Sequence, residues 1–268
     1  MYREYYGFSR RPFANTPDPA FLYQSKRHAE ALARLQYAVE ERELALLIGE
    51  VGAGKTTLSR ALMDACGDNA RFFLVTNTRL TPTELLRTLA RLLGEAPAFR
   101  KAEILDQIQG RLAALYDEGI NPVFVLDEAQ LMPKPTLDEI RLLTNFQMDD
   151  LGLLTILLMG QPELARRLKH PAYEPLLQRV GLRFYLGALL EEEIPPYLAH
   201  RLTIAGGDPG LFDPAASPVF MEVTRGIPRL INTLATLSMM EGMQAEADRI
   251  TPEMVRMASA EMRLPEKE

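Results

Sequence analysis

Along the chain, short apolar runs alternate with longer stretches in which apolar residues recur every three or four positions. LALLI (44–48) follows the charged EERE and reads as a strand buried on both faces. RFFLVT (71–76), VFVL (123–126), LLTILLM (153–159) and VGLRFYLG (180–187) have the same character. Between them lie segments with helical spacing. SKRHAEALARLQYAVEER starts at Ser25 as a cap, with Ala29, Leu32, Leu35 and Val39 as an inner stripe. TPTELLRTLARLL carries Thr81 as cap, Pro82 in the first turn and Glu84 to close a capping box. Further helices are expected at about 100–118, in PTLDEIRLLTNF and in QPELARRLKH. This alternation calls for a mostly parallel sheet with helices on both faces. From about residue 190 the strands stop and the pattern is helical throughout, with Pro195 and Pro196 confined to a first turn or a break. The opening YGFSRRPFANTPDPAFLY (6–23) fits neither period and reads as an ordered strap.

The first strand runs into GEVGAGKTT, which meets the pattern G-x-x-x-x-G-K-[ST] in full at Gly49, Gly54, Lys55 and Thr56. Gly49, Gly52 and Gly54 let the backbone turn tightly and bring its amides to an anion. Lys55 supplies charge for the β- and γ-phosphates, and Thr56 a hydroxyl for Mg²⁺. The helix that follows points its N-terminus at the phosphates. ATP and Mg²⁺ are therefore the expected cofactors, with Ala53 and Thr57 among the nucleotide-contacting residues.

The third strand ends in Asp127 and Glu128, on the sheet edge that carries ligand loops in parallel sheets. Asp127 is placed to hold Mg²⁺ through its water shell, and Glu128 to orient a water for attack on the γ-phosphate. Gln161 follows the next strand; it contacts the γ-phosphate or the water, or simply begins the helix QPELARRL. Arg179, just before the last strand, is either catalytic or surface decoration.

Composition narrows the picture. A hydrophobic share of 47% with 25% charged residues is that of a globular protein, and a net charge of -6 argues against a general basic coat for nucleic acid. The single cysteine, Cys66, forms no internal disulfide and reads as a small packing residue. The methionines of the helical tail read as packing rather than as a metal site. With no signal-peptide pattern and no membrane-length apolar run, a cytoplasmic location and no membrane insertion are expected.

GEVGAGKTT, VLDEAQ, MGQPEL, LLQRV and TRGIPRLIN resemble, in that order, the motifs of AAA+ ATPases of the ExeA/GspA type, and YYGFSRRPFANTPDPAFLY resembles the N-terminal signature of that family. The resemblance runs over about residues 1–260. It implies a five-stranded P-loop core of AAA+ type followed by a small helical lid, divided as a core with strap over 1–189 and a lid over 190–268. It implies that Lys55 and Thr56 are Walker A, Asp127 and Glu128 Walker B, and Gln161 sensor 1. By the same resemblance Arg179 is an arginine finger reaching a neighbouring subunit, Arg229 is sensor 2, and the strap around Phe13, Pro17 and Pro19 lies near the adenine. Homo-oligomers, rings or filaments, follow from it.

Longer members carry a membrane segment and a peptidoglycan-binding domain beyond the lid, which this sequence does not include. Short relatives are also similar to the TnsC/TniB/IstB-like ATPases that regulate DNA transposition, which implies duplex DNA and a transposase as partners. Thr78 and Arg79 after the second strand, and Lys134 past Walker B, are the candidate DNA contacts, against ordinary solvated loops. The competing expectation is an ATP-dependent assembly switch for a protein partner in secretion or surface-polysaccharide export.

Overall fold

A computed structural model describes residues 2–16, 18–148 and 151–262, with the Leu151 side chain excepted. In chain order the helices and strands are α1 (Tyr2–Tyr5), α2 (Lys26–Glu40), β1 (Leu44–Gly49), α3 (Lys55–Cys66), β2 (Ala70–Val75), α4 (Pro82–Leu92), α5 (Lys101–Asp117), β3 (Asn121–Leu126), α6 (Lys134–Leu143), β4 (Gln147–Met148), β5 (Leu151–Gly152), β6 (Thr155–Gly160), α7 (Pro162–Leu168), α8 (Glu174–Leu177), β7 (Val180–Leu186), α9 (Ile194–Ile204), α10 (Ser217–Thr224), α11 (Pro228–Gln244) and α12 (Pro252–Glu261). They form two compact units. One comprises 29–49 and 59–186; the other comprises the N-terminus to His28, 50–58 and 187 onward.

The first unit is an α/β sandwich around a five-stranded sheet of order β2-β3-β6-β1-β7. All four pairings within it are parallel. Every residue of β1, β3 and β6 is buried, as expected for central strands covered on both faces. The strand period of two then divides them. Leu46, Ile48, Phe124, Leu126, Ile156 and Leu158 join one core with Leu85, Leu86 and Leu89 of α4 and Ile104, Ile108 and Leu112 of α5. Their alternates Leu47, Val123, Val125, Leu157 and Met159 are buried on the opposite face. β2 and β7 are the edges, and there side chains such as Leu74 and Tyr185 reach solvent. Buried Asn121 donates to the Val39 carbonyl (2.6 Å) and the Thr155 hydroxyl (3.0 Å), tying the end of α2 to β3 and β6.

Local signals explain the helix starts. The Thr81–Glu84 capping box forms in both directions. The Ser25 hydroxyl accepts from the His28 backbone amide (3.3 Å) at the start of α2. The inner stripe of α2 is displaced from expectation: Ala29 is exposed and Leu32 half-buried, while His28, Ala31, Leu35, Ala38 and Val39 are buried. Periodicity alone leaves the phase of a helix free by one position, and here a buried histidine sets it. The short hairpin β4–β5 was not apparent in the sequence pattern, because strands of two residues carry no period.

The second unit is helical. Phe220, Ile231, Leu234, Ala235, Met239, Ile250 and Val255 from α10 to α12 form its centre, so Met239 is packing as expected. Pro195 and Pro196 lie in the first turn of α9. The strap belongs to this unit, and Phe8 and Phe13 are part of its core. One arginine explains why. Arg201 on α9 is buried, donates to the carbonyls of Pro12 (2.7 Å) and Ala14 (2.9 Å) and to the Tyr197 hydroxyl (3.1 Å), and stacks 4.9 Å over Phe21. This grouping differs from a division at residue 189, because sequence proximity does not disclose which helices a strap without periodicity packs on.

Phe124 is fully buried and stacked on Phe73 at 5.1 Å between centroids. Phe124→Ala should destabilise the sheet unit by about 3–5 kcal/mol. Leu74→Ala on the exposed edge should stay within about 0.5 kcal/mol, both read from urea unfolding.

Candidate active site

The loop after β1 is built for an anion. Gly52 (φ +85°) and Gly54 (φ +100°) occupy the left-handed region, and a side chain at Gly52 would also collide. A Cβ on Gly52 would lie 2.5 Å from Arg229 Cβ, and one on Gly54 3.2 Å from His28 Nε2. The loop closes through Ala53 N–H to the Glu50 carbonyl (3.1 Å) and continues into α3 through Leu58 N–H to the Gly54 carbonyl (2.8 Å). Lys55 starts α3, is buried, and its Nζ donates to the Glu50 carbonyl at 3.1 Å. Thr56 and Thr57 follow in the first turn, both half-buried. Glycines in left-handed backbone, a lysine turned onto the loop and a helix N-terminus fit a phosphate chain.

Within the same unit, residues from four segments line a pocket against this loop. Asp18, Phe21 and Tyr23 come from the strap, His28 from α2, Ala53, Gly54 and Thr57 from the loop and α3, and Leu189, Tyr197, Arg201 and Pro228 from the helical region. The lining is apolar with a few polar groups, suited to a base. His28 holds the loop directly: its Nε2 lies 3.2 Å from the Ala53 carbonyl and its Nδ1 2.8 Å from the Ser25 hydroxyl. Burial, the largest influence, pulls its imidazole below the ordinary value, opposed by the hydrogen bond to Ala53. Arg229 N–H donates to the Gly52 carbonyl at 3.3 Å from the other side.

In the sheet unit, parallel β1, β3 and β6 end at one edge. Asp127 follows β3, with its N–H on the Val75 carbonyl (3.1 Å) and its carboxylate accepting from Glu128 N–H (2.9 Å). Glu128 takes a left-handed backbone (φ 54°, ψ 37°), which for a non-glycine residue costs about 1–3 kcal/mol. Its carbonyl accepts from the Thr78 hydroxyl (2.9 Å), and its Oε2 accepts from Gln130 (2.5 Å) and Gln161 (2.9 Å). The Gln130 side chain also accepts from Gln161 N–H (3.1 Å). Gln161 stands at the N-cap position of α7, as expected of a helix start, and its side-chain amide donates to the Glu128 carboxylate.

Other candidates are placed as follows. Phe13 is buried in the helical core, edge-on to Phe212, and does not line the pocket; Phe21 and Tyr23 of the strap do. Pro17 lies outside the described residues. Thr78 is only 1% exposed, its hydroxyl spent on the Glu128 carbonyl, so it is a support of the acid and not a surface contact for DNA. Arg79 is exposed, while Lys134 is paired with Asp138 at 2.8 Å. Arg179 is exposed just before β7, and Arg229 is exposed at the start of α11. Cys66 ends α3 half-buried, its thiol pushed up by burial. Sequence reading missed His28, Gln130, Tyr197 and Arg201. The Ser25-x-x-His28 spacing and a glutamine two residues beyond Glu128 were the available signals.

This architecture defines an ATP-binding and ATP-hydrolysing enzyme of the P-loop AAA+ fold, and the AAA domain family matches residues 38–168. The chain is 34% identical over 266 residues to the General secretion pathway protein A of Aeromonas hydrophila, covering 98% of this chain but about half (48%) of that protein. In fold it is similar to the ORC2 protein of Aeropyrum pernix (TM-score 0.72, 20% identity, 97% of this chain and 74% of that one). It is also similar to the RuvB Holliday junction branch migration motor of Thermotoga maritima (TM-score 0.56, 17% identity, 90% and 70%). No described helix is long and apolar enough to cross a membrane.

Two outcomes follow. Glu128→Gln keeps the shape of the side chain but removes its basic oxygen, so turnover should fall about 10²–10⁴-fold while ATP affinity is retained, measured by phosphate release and calorimetry. For His28, the unfolded chain takes up a proton first as pH falls from the ordinary value of 6.5. Stability should therefore decline between about pH 7 and the lower folded value, and His28→Gln should flatten that decline in urea titrations.

Proposed function

We propose that the chain is a nucleotide-driven assembly switch acting on a protein partner of a secretion- or export-type system. The observation that carries this is the likeness to General secretion pathway protein A along 98% of the chain. Lys55 and the loop amides would hold the phosphates of ATP. Thr56 and Asp127 would hold Mg²⁺ together with phosphate oxygens, since no cluster of three or more His, Cys, Asp or Glu among the described residues could hold a metal alone. Magnesium would neutralise charge on the transferred phosphoryl group. Glu128 would orient the attacking water after its carboxylate leaves Gln130 or Gln161, and Gln161 would then be free to meet the γ-phosphate. Arg179, exposed at the surface, would complete the site of a neighbouring copy by offsetting charge that develops on the γ-phosphate. Arg229, bonded through its backbone to the loop, would report the nucleotide to the helical region.

The transposition reading has weaker support: Thr78 is withdrawn from the surface and Lys134 is paired, which leaves Arg79. Sedimentation with a non-hydrolysable ATP analogue, with and without duplex DNA, separates the two. The switch requires assembly with analogue alone, lost in Lys55→Ala and indifferent to duplex. Absence of assembly at tens of micromolar (about ten times a 1 μM dissociation constant) defeats it. Assembly that requires duplex returns the DNA reading.

A further inference from the structure

One polar contact on the phosphate loop from outside it comes from a residue that no nucleotide-binding motif includes. His28 stands at the start of α2, 4% exposed, with Nε2 3.2 Å from the Ala53 carbonyl and Nδ1 2.8 Å from the Ser25 hydroxyl. The protons can be placed. A carbonyl only accepts, so Nε2 carries the hydrogen and donates to Ala53. The Ser25 oxygen already accepts from the His28 backbone amide at 3.3 Å, so its own hydrogen goes to Nδ1. A neutral imidazole satisfies every partner, and burial favours that form.

The Ala53 carbonyl shares its peptide plane with the Gly54 amide. The described peptides are trans, so that carbonyl and that N–H point in opposite directions. Drawing the carbonyl towards His28 therefore turns the Gly54 N–H away from the imidazole. The glycine leaves this peptide a rotation that a side chain would restrict. Gly54 at φ +100° has no side chain to fix it, and a Cβ there would meet Nε2 at 3.2 Å. A flipped peptide would present an oxygen to an anion in place of a hydrogen.

We propose that His28 is a positioning residue for phosphate binding: by holding the Ala53 carbonyl it fixes the Ala53–Gly54 peptide with its N–H aimed at the phosphate chain. This rests on the loop being the ATP phosphate site. His28 also lines the adjoining pocket, so direct contact with the base or ribose is the competing role.

The probes are ATP, ADP and inorganic tripolyphosphate, each competing against a fluorescent ATP analogue on the full chain. His28→Ala should weaken all three by about tenfold or more, because the loss lies in the loop amides and not in the base pocket. His28→Gln, whose amide can reach the same carbonyl, should recover most of that loss. Ser25→Ala, a smaller change that frees the tautomer, should show a weaker version of the same pattern and serves if His28→Ala does not fold. Unchanged tripolyphosphate binding with weakened ATP would overturn the proposal in favour of base contact. Unchanged binding of all three would overturn it outright. Wild-type protein that binds none of them would instead remove the phosphate-site reading on which the proposal depends.

Discussion

A backbone that must present its own amides to a highly charged anion cannot also be held by its side chains. Everything around residues 50–56 answers that constraint. Gly52 and Gly54 adopt conformations open only to glycine at low cost, which leaves the loop soft. Stiffness is supplied from elsewhere: β1 and α3 at the two ends, His28 on the Ala53 carbonyl, and the Arg229 amide on the Gly52 carbonyl. His28 and Arg229 lie about 200 residues apart in sequence, yet both belong with the loop to one compact unit. That grouping gives the helical region and the strap a shared purpose. Arg201 binds strap carbonyls and aromatic rings with no carboxylate among its hydrogen-bond partners in the described residues, so carbonyl dipoles and ring faces stabilise its charge.

The acid edge shows a second form of restraint. Glu128 is held through its backbone by Thr78 and Asp127 and through its carboxylate by Gln130 and Gln161. A carboxylate bonded to two amides is oriented but occupied. On the proposed function, water activation would require an exchange of partners at this carboxylate. Gln161, the residue proposed to meet the γ-phosphate, is one of the two amides that restrain the acid.

Much of this was legible in the residues. The sheet strands announce themselves as unbroken apolar runs because central parallel strands are buried on both faces, and Thr81-x-x-Glu84 forms its capping box as written. The phosphate loop and the acid pair were legible because their chemistry needs fixed residue types at fixed spacing. What was not legible depends on tertiary contact. Phe13 and Phe21 are equally aromatic in the strap, and only packing decides that Phe13 enters the helical core while Phe21 lines the pocket. Thr78 read as a loop hydroxyl facing solvent, and its burial under Glu128 depends on a strand pairing that no local pattern reveals. His28 looked like one more helix residue, because its partner carbonyl is 25 positions away.

On the proposed function, one loop and one acid pair serve a single ATP. The most direct measurement is an experimental structure with a non-hydrolysable ATP analogue and Mg²⁺. The triphosphate should lie along the amides of residues 52–56 with Lys55 beside it and the metal next to Thr56 and Asp127, and the Glu128 carboxylate should be released from at least one of its glutamine partners. Nucleotide bound away from this loop, or bound on it with Asp127 and Glu128 remote from the phosphates, would contradict it.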